Sequence, residues 1–144
     1  MQTRLVTLLA IVLVGAAGVV PMAFAGDPAQ AASVEYVSQA DLLARLGRMD
    51  PDLVVLDVRT PAEFAAGHVP GARNISHDLL SSRLAELAPL RDKQVVLYCR
   101  SGRRTLLAED ILRKAGFKNL AHLEGDYLAW EAEKRPVERS APAQ

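Results

Sequence analysis

Two apolar runs constrain this chain more than any other feature. DLVVLDV at residues 52–58 and QVVLYC at residues 94–99 are continuous rather than alternating, and rich in valine and leucine. A strand with one face in water alternates apolar and polar residues, so unbroken runs of this kind suit strands covered on both faces. The first follows the turn signal Asp50-Pro51, and a helix start follows each. After the first run, Thr60 takes the N-cap position, Pro61 the first helical position and Glu63 completes a capping box. After the second, a helix is expected from about Arg103 to Ala115, stopped by Gly116 at its C-terminal cap. Strands alternating with helices predict an α/β domain with a largely parallel sheet.

Weaker signals supply the remaining elements. VEYV (34–37) reads as a short strand, and Ser38 caps a helix running to about Arg45 or Leu46, with Asp41 in its first turn and Gly47 near its end. GHVPGARNI (67–75) is a turn entering a short strand. Residues Asp78 to Leu87 are predicted as one helix ended by Pro89, and NLAHLEG (119–125) as a strand and turn. YLAW begins a last short helix, and the tail from Arg135 is expected to fray. A chain of 144 residues has room for one such domain.

The first 25 residues follow different rules. Arg4 is their only charge, residues 5–20 carry none, and Ala23-Phe24-Ala25 places small residues at the −3 and −1 positions of a cleavage site. A signal peptide over 1–25, cleaved after Ala25, is therefore expected, with a periplasmic or secreted product and no stable membrane association afterwards. The alternative, an uncleaved anchor, has an apolar run somewhat short of the ~20 residues a full span needs. Residues 26–33 read as a flexible leader, 34–139 as the domain and 140–144 as a tail. Lys and Arg total 17, as do Asp and Glu, and removing residues 1–25 leaves 16 basic and 17 acidic. No global field favours nucleic acid, and none is expected as a partner.

The chain has one cysteine, Cys99, in the stretch YCRSGRRT. An exported chain with a lone cysteine has three options: an intermolecular bridge, an inert buried thiol or a reactive one. The neighbours favour the last. Gly102 can take a positive φ or admit close backbone approach. The amides of Arg100 to Arg104 can then form an anion-binding nest ahead of a helix N-terminus. Such a field stabilises a thiolate, which is the nucleophile. Cations at a helix start are locally unfavourable, so Arg100, Arg103 and Arg104 are better explained as an anion-attracting rim. The candidate site is thus Cys99 as nucleophile, with Arg100, Ser101, Gly102, Arg103 and Arg104 binding an anionic substrate. One cysteine and the scattered His68, His77 and His122 make no metal site, and no cofactor is called for.

LDVRTPAEFAAGHVPGARNI (56–75), VVLYCRSGRRT (95–105) and GFKNLAHLEGDYLAW (116–130) together resemble a single-domain rhodanese, a thiosulfate sulfurtransferase, over about residues 34 to 139. The resemblance implies a compact α/β fold around a five-stranded parallel sheet. It implies a persulfide on Cys99 during turnover, with the amides of residues 99–104 cradling the transferred sulfur. Thiosulfate or a related small anion would be the donor, and cyanide or a thiol the acceptor. The family often has two glycines before its final aromatic helix; here they are Gly125 and Asp126. Asp126 is expected near the rim of the site, opposing anionic donors. Asp57, Arg59 and His68 are expected to be scaffold, with an Arg59–Glu63 ion pair, and Trp130 to be core. A phosphatase or arsenate reductase on this fold is a rival, as is a non-enzymatic persulfide carrier. Cysteine phosphatases use C-x5-R, whereas the sixth residue after Cys99 is Thr105 and Arg104 comes one position early.

Overall fold

The computed structural model describes residues 34–140. The expected signal peptide, the cut after Ala25 and the leader lie outside the described residues, as do residues 141–144. Five parallel strands form one sheet in the order β1-β5-β4-β2-β3, where β1 is Glu35–Val37, β2 Leu53–Asp57, β3 Arg73–Asn74, β4 Gln94–Tyr98 and β5 Leu120–Leu123. Helices α1 (Gln39–Gly47), α2 (Pro61–Ala66), α3 (Leu84–Leu87), α4 (Arg103–Lys114) and α5 (Asp126–Ala132) connect or follow them.

The continuous runs are explained by two cores, one on each face of the sheet. Along β4, Val95 and Leu97, with Cys99 beyond, join one apolar cluster with Ala108 and Leu112 of α4. Val96 and Tyr98 join the other with Leu42, Tyr127 and Trp130. Strand side chains alternate in direction, so a strand covered on both faces carries apolar residues at successive positions. Trp130 is fully buried, and its indole N–H donates to the Pro136 carbonyl at 2.8 Å.

Both predicted caps form. Ser38 Oγ accepts the Asp41 amide at 3.0 Å. Thr60 and Glu63 exchange both bonds of the capping box at the start of α2. Gly116 follows α4 with φ +91°, and its amide returns to the Arg113 carbonyl.

Two expectations are corrected. The single helix over 78–87 is instead three short pieces: a 3-10 turn at Leu80–Arg83, α3, and a second 3-10 turn at Ala88–Leu90 that contains Pro89. Ser82 Oγ donates back to the Leu79 carbonyl, the local competition that makes serine a poor helix interior, while Leu80, Leu87 and Leu90 are buried. The tail does not fray at Arg135. His68 and Glu138 exchange both backbone bonds at 2.9 Å, and Arg135 Nε donates to Gln39 Oε1 at 3.0 Å.

The chain steps one way across the sheet from β2 to β3 and the other way from β4 to β5. In such sheets the crevice beyond the strand ends at this reversal is where ligands sit. Residues 57–60 and 99–103 line that edge.

Candidate active site

Cys99 immediately follows β4 and is 1 % exposed. It leaves the strand ladder: its amide donates not to a neighbouring strand but to Asp126 Oδ1, at 2.8 Å. The Cys99 carbonyl accepts the Tyr127 amide at 3.0 Å, and the Arg100 carbonyl accepts the Leu128 amide at 3.1 Å. The first turn of α5 thus spends its unsatisfied donors on the back of the loop. A trans peptide is planar, so turning these two carbonyls toward α5 turns the amides of Arg100 and Ser101 the opposite way. Gly102, with φ +96°, closes the loop and caps α4 without any side-chain bond. Its amide donates to Cys99 Sγ at 3.1 Å. The loop therefore has its carbonyls tied behind it and at least one amide on the sulfur.

The three arginines have different surroundings. Arg104 is bound in a two-pronged ion pair to Glu63 of α2, at 2.8 and 2.9 Å. This pair holds the Glu63 carboxyl down to about 2, with Arg104 the main cause and the Thr60 bonds adding to it against burial. Arg104 in turn is held well above its ordinary value, first by Glu63 and also by the nearby Cys99 sulfur. Arg100 and Arg103 are exposed, as is Ser101, and among the described residues neither arginine forms an ion pair. Arg100 borders a cleft of about 150 Å³ that Arg59, Glu63, Gly67 and Tyr127 also line. A larger cavity of about 360 Å³ lies between Ser38, Gly125 and Arg135. It contains no residue of the 99–104 loop, whereas the smaller cleft is bordered by Arg100 of that loop; Cys99 itself lines neither.

The expected Arg59–Glu63 pair does not form. Arg59, 2 % exposed, folds back onto Asp57, with Nε 3.0 Å from each carboxylate oxygen and one terminal nitrogen at 2.6 Å. The same nitrogen donates to the Gly67 carbonyl at 2.7 Å, and the guanidinium lies 3.8 Å from the centroid of Tyr127. Burial opposes its charge, and Asp57 more than restores it. His68 is structural: its Nδ1 is 2.8 Å from the Phe64 carbonyl and its ring stacks on Phe64.

Asp126 is the largest departure from expectation. It is not at the rim but beneath the loop, 5 % exposed. Its backbone takes φ +53°, a conformation glycine adopts freely and Asp tolerates better than most residues. Besides the Cys99 amide, Oδ1 accepts the Thr105 hydroxyl at 3.1 Å, and Oδ2 sits 2.8 Å from His122 Nε2. Burial alone would raise this carboxyl; the His122, Cys99 and Thr105 bonds outweigh it and hold it below the usual range. His122, which carries no carboxylate signal in sequence, lies between Asp126 and Glu109, whose Oε1 is 3.5 Å from Nδ1. Sequence reasoning missed Thr105, Glu109 and His122 as neighbours of the loop; the one available signal was an acid where the resemblance implied a second glycine. Among the described residues no group of three or more His, Cys, Asp or Glu side chains is arranged to hold a metal ion.

A parallel sheet with a cysteine-headed amide loop at its reversal point defines a class of anion-handling thiol proteins. The chain belongs to the rhodanese-like domain family, whose model matches residues 38–133. A protein named sulfurtransferase from Allochromatium vinosum is 34 % identical over 104 residues, covering 72 % of this chain and 94 % of that protein. A protein named putative thiosulfate sulfurtransferase, mitochondrial, from Schizosaccharomyces pombe is 36 % identical over 92 residues, covering 56 % of this chain and 65 % of that one. A crystal structure of a rhodanese-related protein from Thermoplasma volcanium superposes with a TM-score of 0.63 at 29 % identity, over 74 % of this chain and 99 % of that one. Family and relatives together support sulfur transfer as the general chemistry.

Proposed function

We propose that the protein is an exported sulfurtransferase that carries a sulfane sulfur from thiosulfate, or a related small anion, through a persulfide on Cys99 to cyanide or a thiol. The observation that carries this reading is the Gly102 amide 3.1 Å from Cys99 Sγ, in a loop whose carbonyls are bound from behind. The Cys99 thiolate attacks the outer sulfur of thiosulfate. A new S–S bond forms at Sγ, the bond to the sulfonate sulfur breaks, and its electron pair leaves with sulfite. The acceptor then attacks the outer sulfur of the persulfide, the S–S bond breaks, and the Cys99 thiolate is regenerated. The loop amides stabilise negative charge on sulfur in both halves, as an oxyanion hole does on oxygen. Arg100 and Arg103, exposed and without carboxylate partners among the described residues, attract and seat the dianionic donor. Export rests on the charge-free run ahead of the Ala23-Phe24-Ala25 site.

Thr105 argues against the phosphatase rival. It stands where a C-x5-R loop has its arginine, and its hydroxyl is turned inward to Asp126 at 3.1 Å. Steady-state formation of thiocyanate from thiosulfate and cyanide tests the proposal. The parental protein is expected to turn over, Cys99→Ser to fold and give only the uncatalysed rate, and neither to hydrolyse an aryl phosphate. Thiocyanate formation by the serine variant above the uncatalysed rate would remove Cys99 from the mechanism. A persulfide that forms but never turns over would favour a carrier.

A further inference from the structure

Beneath the cysteine loop lies a buried acid–imidazole pair that the two half-reactions do not use. Asp126 Oδ1 receives the Cys99 amide at 2.8 Å and the Thr105 hydroxyl at 3.1 Å, so one oxygen grips both ends of the loop. The middle of the loop faces the same pair. A Cβ placed on Gly102 would lie 3.1 Å from Asp126 Oδ2 and 3.4 Å from His122 Cε1, so the pair occupies the space that a side chain at 102 would need. His122 in turn is 3 % exposed. Its Nε2 binds Asp126 Oδ2 at 2.8 Å, and Glu109 stands on its far side. The Tyr36 ring stacks on it at 5.2 Å between centroids.

A carboxylate here is a costly choice. It is buried, close to a thiol that must carry negative charge, and its residue adopts φ +53°. Scaffolding alone would be served by a glycine at this backbone angle. The arrangement makes sense if the carboxylate does something that packing cannot: direct the loop by accepting two hydrogen bonds at fixed positions, with the imidazole as the donor that keeps it oriented.

We propose that Asp126, oriented by His122, is the positioning residue of the cysteine loop. It fixes Cys99 and Thr105 and supports Gly102 from below, and so keeps the Gly102 amide on Cys99 Sγ. This rests on Cys99 being the persulfide-forming nucleophile. Asp126 never meets the donor, so it acts on the rate of sulfur attack and not on donor affinity.

Two substitutions separate positioning from folding. Asp126→Gly deletes both bonds while relieving the positive φ. Asp126→Asn keeps an oxygen for Cys99 and Thr105 and offers His122 Nε2 an amide donor in place of an oxygen. Three readouts are compared in folded protein: the single-turnover rate of persulfide formation, its thiosulfate dependence, and hydrogen exchange at the Cys99 and Gly102 amides. Asp126→Gly is expected to slow the maximal rate roughly ten- to a hundredfold, the loss that charge-assisted hydrogen bonds of this kind produce, with half-saturation little changed. Both amides are expected to exchange faster. Asp126→Asn is expected to restore most of the rate and the protection. Parental rates in Asp126→Gly, or no recovery in Asp126→Asn, would overturn the proposal. If the parental protein itself forms no persulfide, the sulfur-transfer reading falls, while the exchange contrast between the two variants still decides whether Asp126 positions the loop.

Discussion

Two strand-to-helix connections leave the same edge of the sheet and are built in opposite ways. The β2–α2 connection uses up its own polar groups. Asp57 and Arg59 form a buried two-pronged pair, and Thr60 with Glu63 closes the helix start in a capping box. The β4–α4 connection does the reverse. Its cap is a glycine with no side-chain bond, α4 has no acid in its first turn, and Arg100 and Arg103 stand exposed without carboxylate partners among the described residues. A helix start without a cap leaves donors unsatisfied, and unpaired cations beside it are unfavourable unless an anion arrives. One connection holds the fold, and on the proposed function the other is left incomplete for an anionic donor.

The comparison breaks first at the buried pair. Asp57→Ala leaves the Arg59 guanidinium buried and unpaired, which costs about 3–5 kcal/mol. Thermal unfolding is expected to fall sharply, while thiosulfate turnover per folded molecule changes little. A folded variant with abolished turnover would mean that the β2–α2 connection belongs to the chemistry after all.

The rim arginines sharpen the contrast at the next scale. Removing Arg100 or Arg103 is expected to lower thiosulfate kcat/KM by up to roughly ten- to a hundredfold, since a charge-assisted contact contributes about 1.5–3 kcal/mol. An arginine that only steers would lose less, and high salt would mask the loss. Arg104→Ala is different, because that guanidinium joins Glu63 to the sulfur side of the loop. It is expected to slow both persulfide formation and discharge. Single-turnover rates for each half-reaction check this. Parental rates for all three variants in low salt would leave donor recognition to the backbone alone.

Much of this contrast is local and therefore legible in sequence. The capping box, the glycine at the loop and the two double-sided strands are each written within a few residues. What was not legible depends on contacts distant in the chain. The Cys99–Asp126 bond spans 27 residues and the Arg104–Glu63 pair 41. Spacing offered Glu63 one partner, Arg59, and only the folded chain shows that Arg59 is already held by Asp57 and that Arg104 takes its place. Asp126 was misplaced at the rim because its direction follows from φ +53° at the head of α5, which no local pattern specifies. The helix expected over 78–87 breaks for a smaller reason: the Ser82 hydroxyl returns to the Leu79 carbonyl, and Pro89 lies in the second 3-10 turn.

The smallest effect lies where the two connections meet. The Glu63 carboxyl is lowered from 4.5 to about 2 in the folded protein. A lowered acid contributes stability that is present above its unfolded value and lost as pH falls through the folded one. The Glu63–Arg104 contribution is therefore expected in full above about pH 4.5 and to disappear toward pH 2. Both side chains are partly in solvent, so its size is expected near 1 kcal/mol or below. Denaturant titrations of the parental protein and Glu63→Gln should converge over that interval. A constant difference down to pH 2 would assign the effect to packing.

The central claim is that the incomplete connection exists to hold sulfur on Cys99. Intact-protein mass spectrometry before and after thiosulfate, followed by peptide mapping, tests it most directly. One added sulfur atom on the peptide containing Cys99, released by cyanide and absent in Cys99→Ser, is the predicted result. An unchanged mass after thiosulfate, or sulfur found on the serine variant, would contradict it.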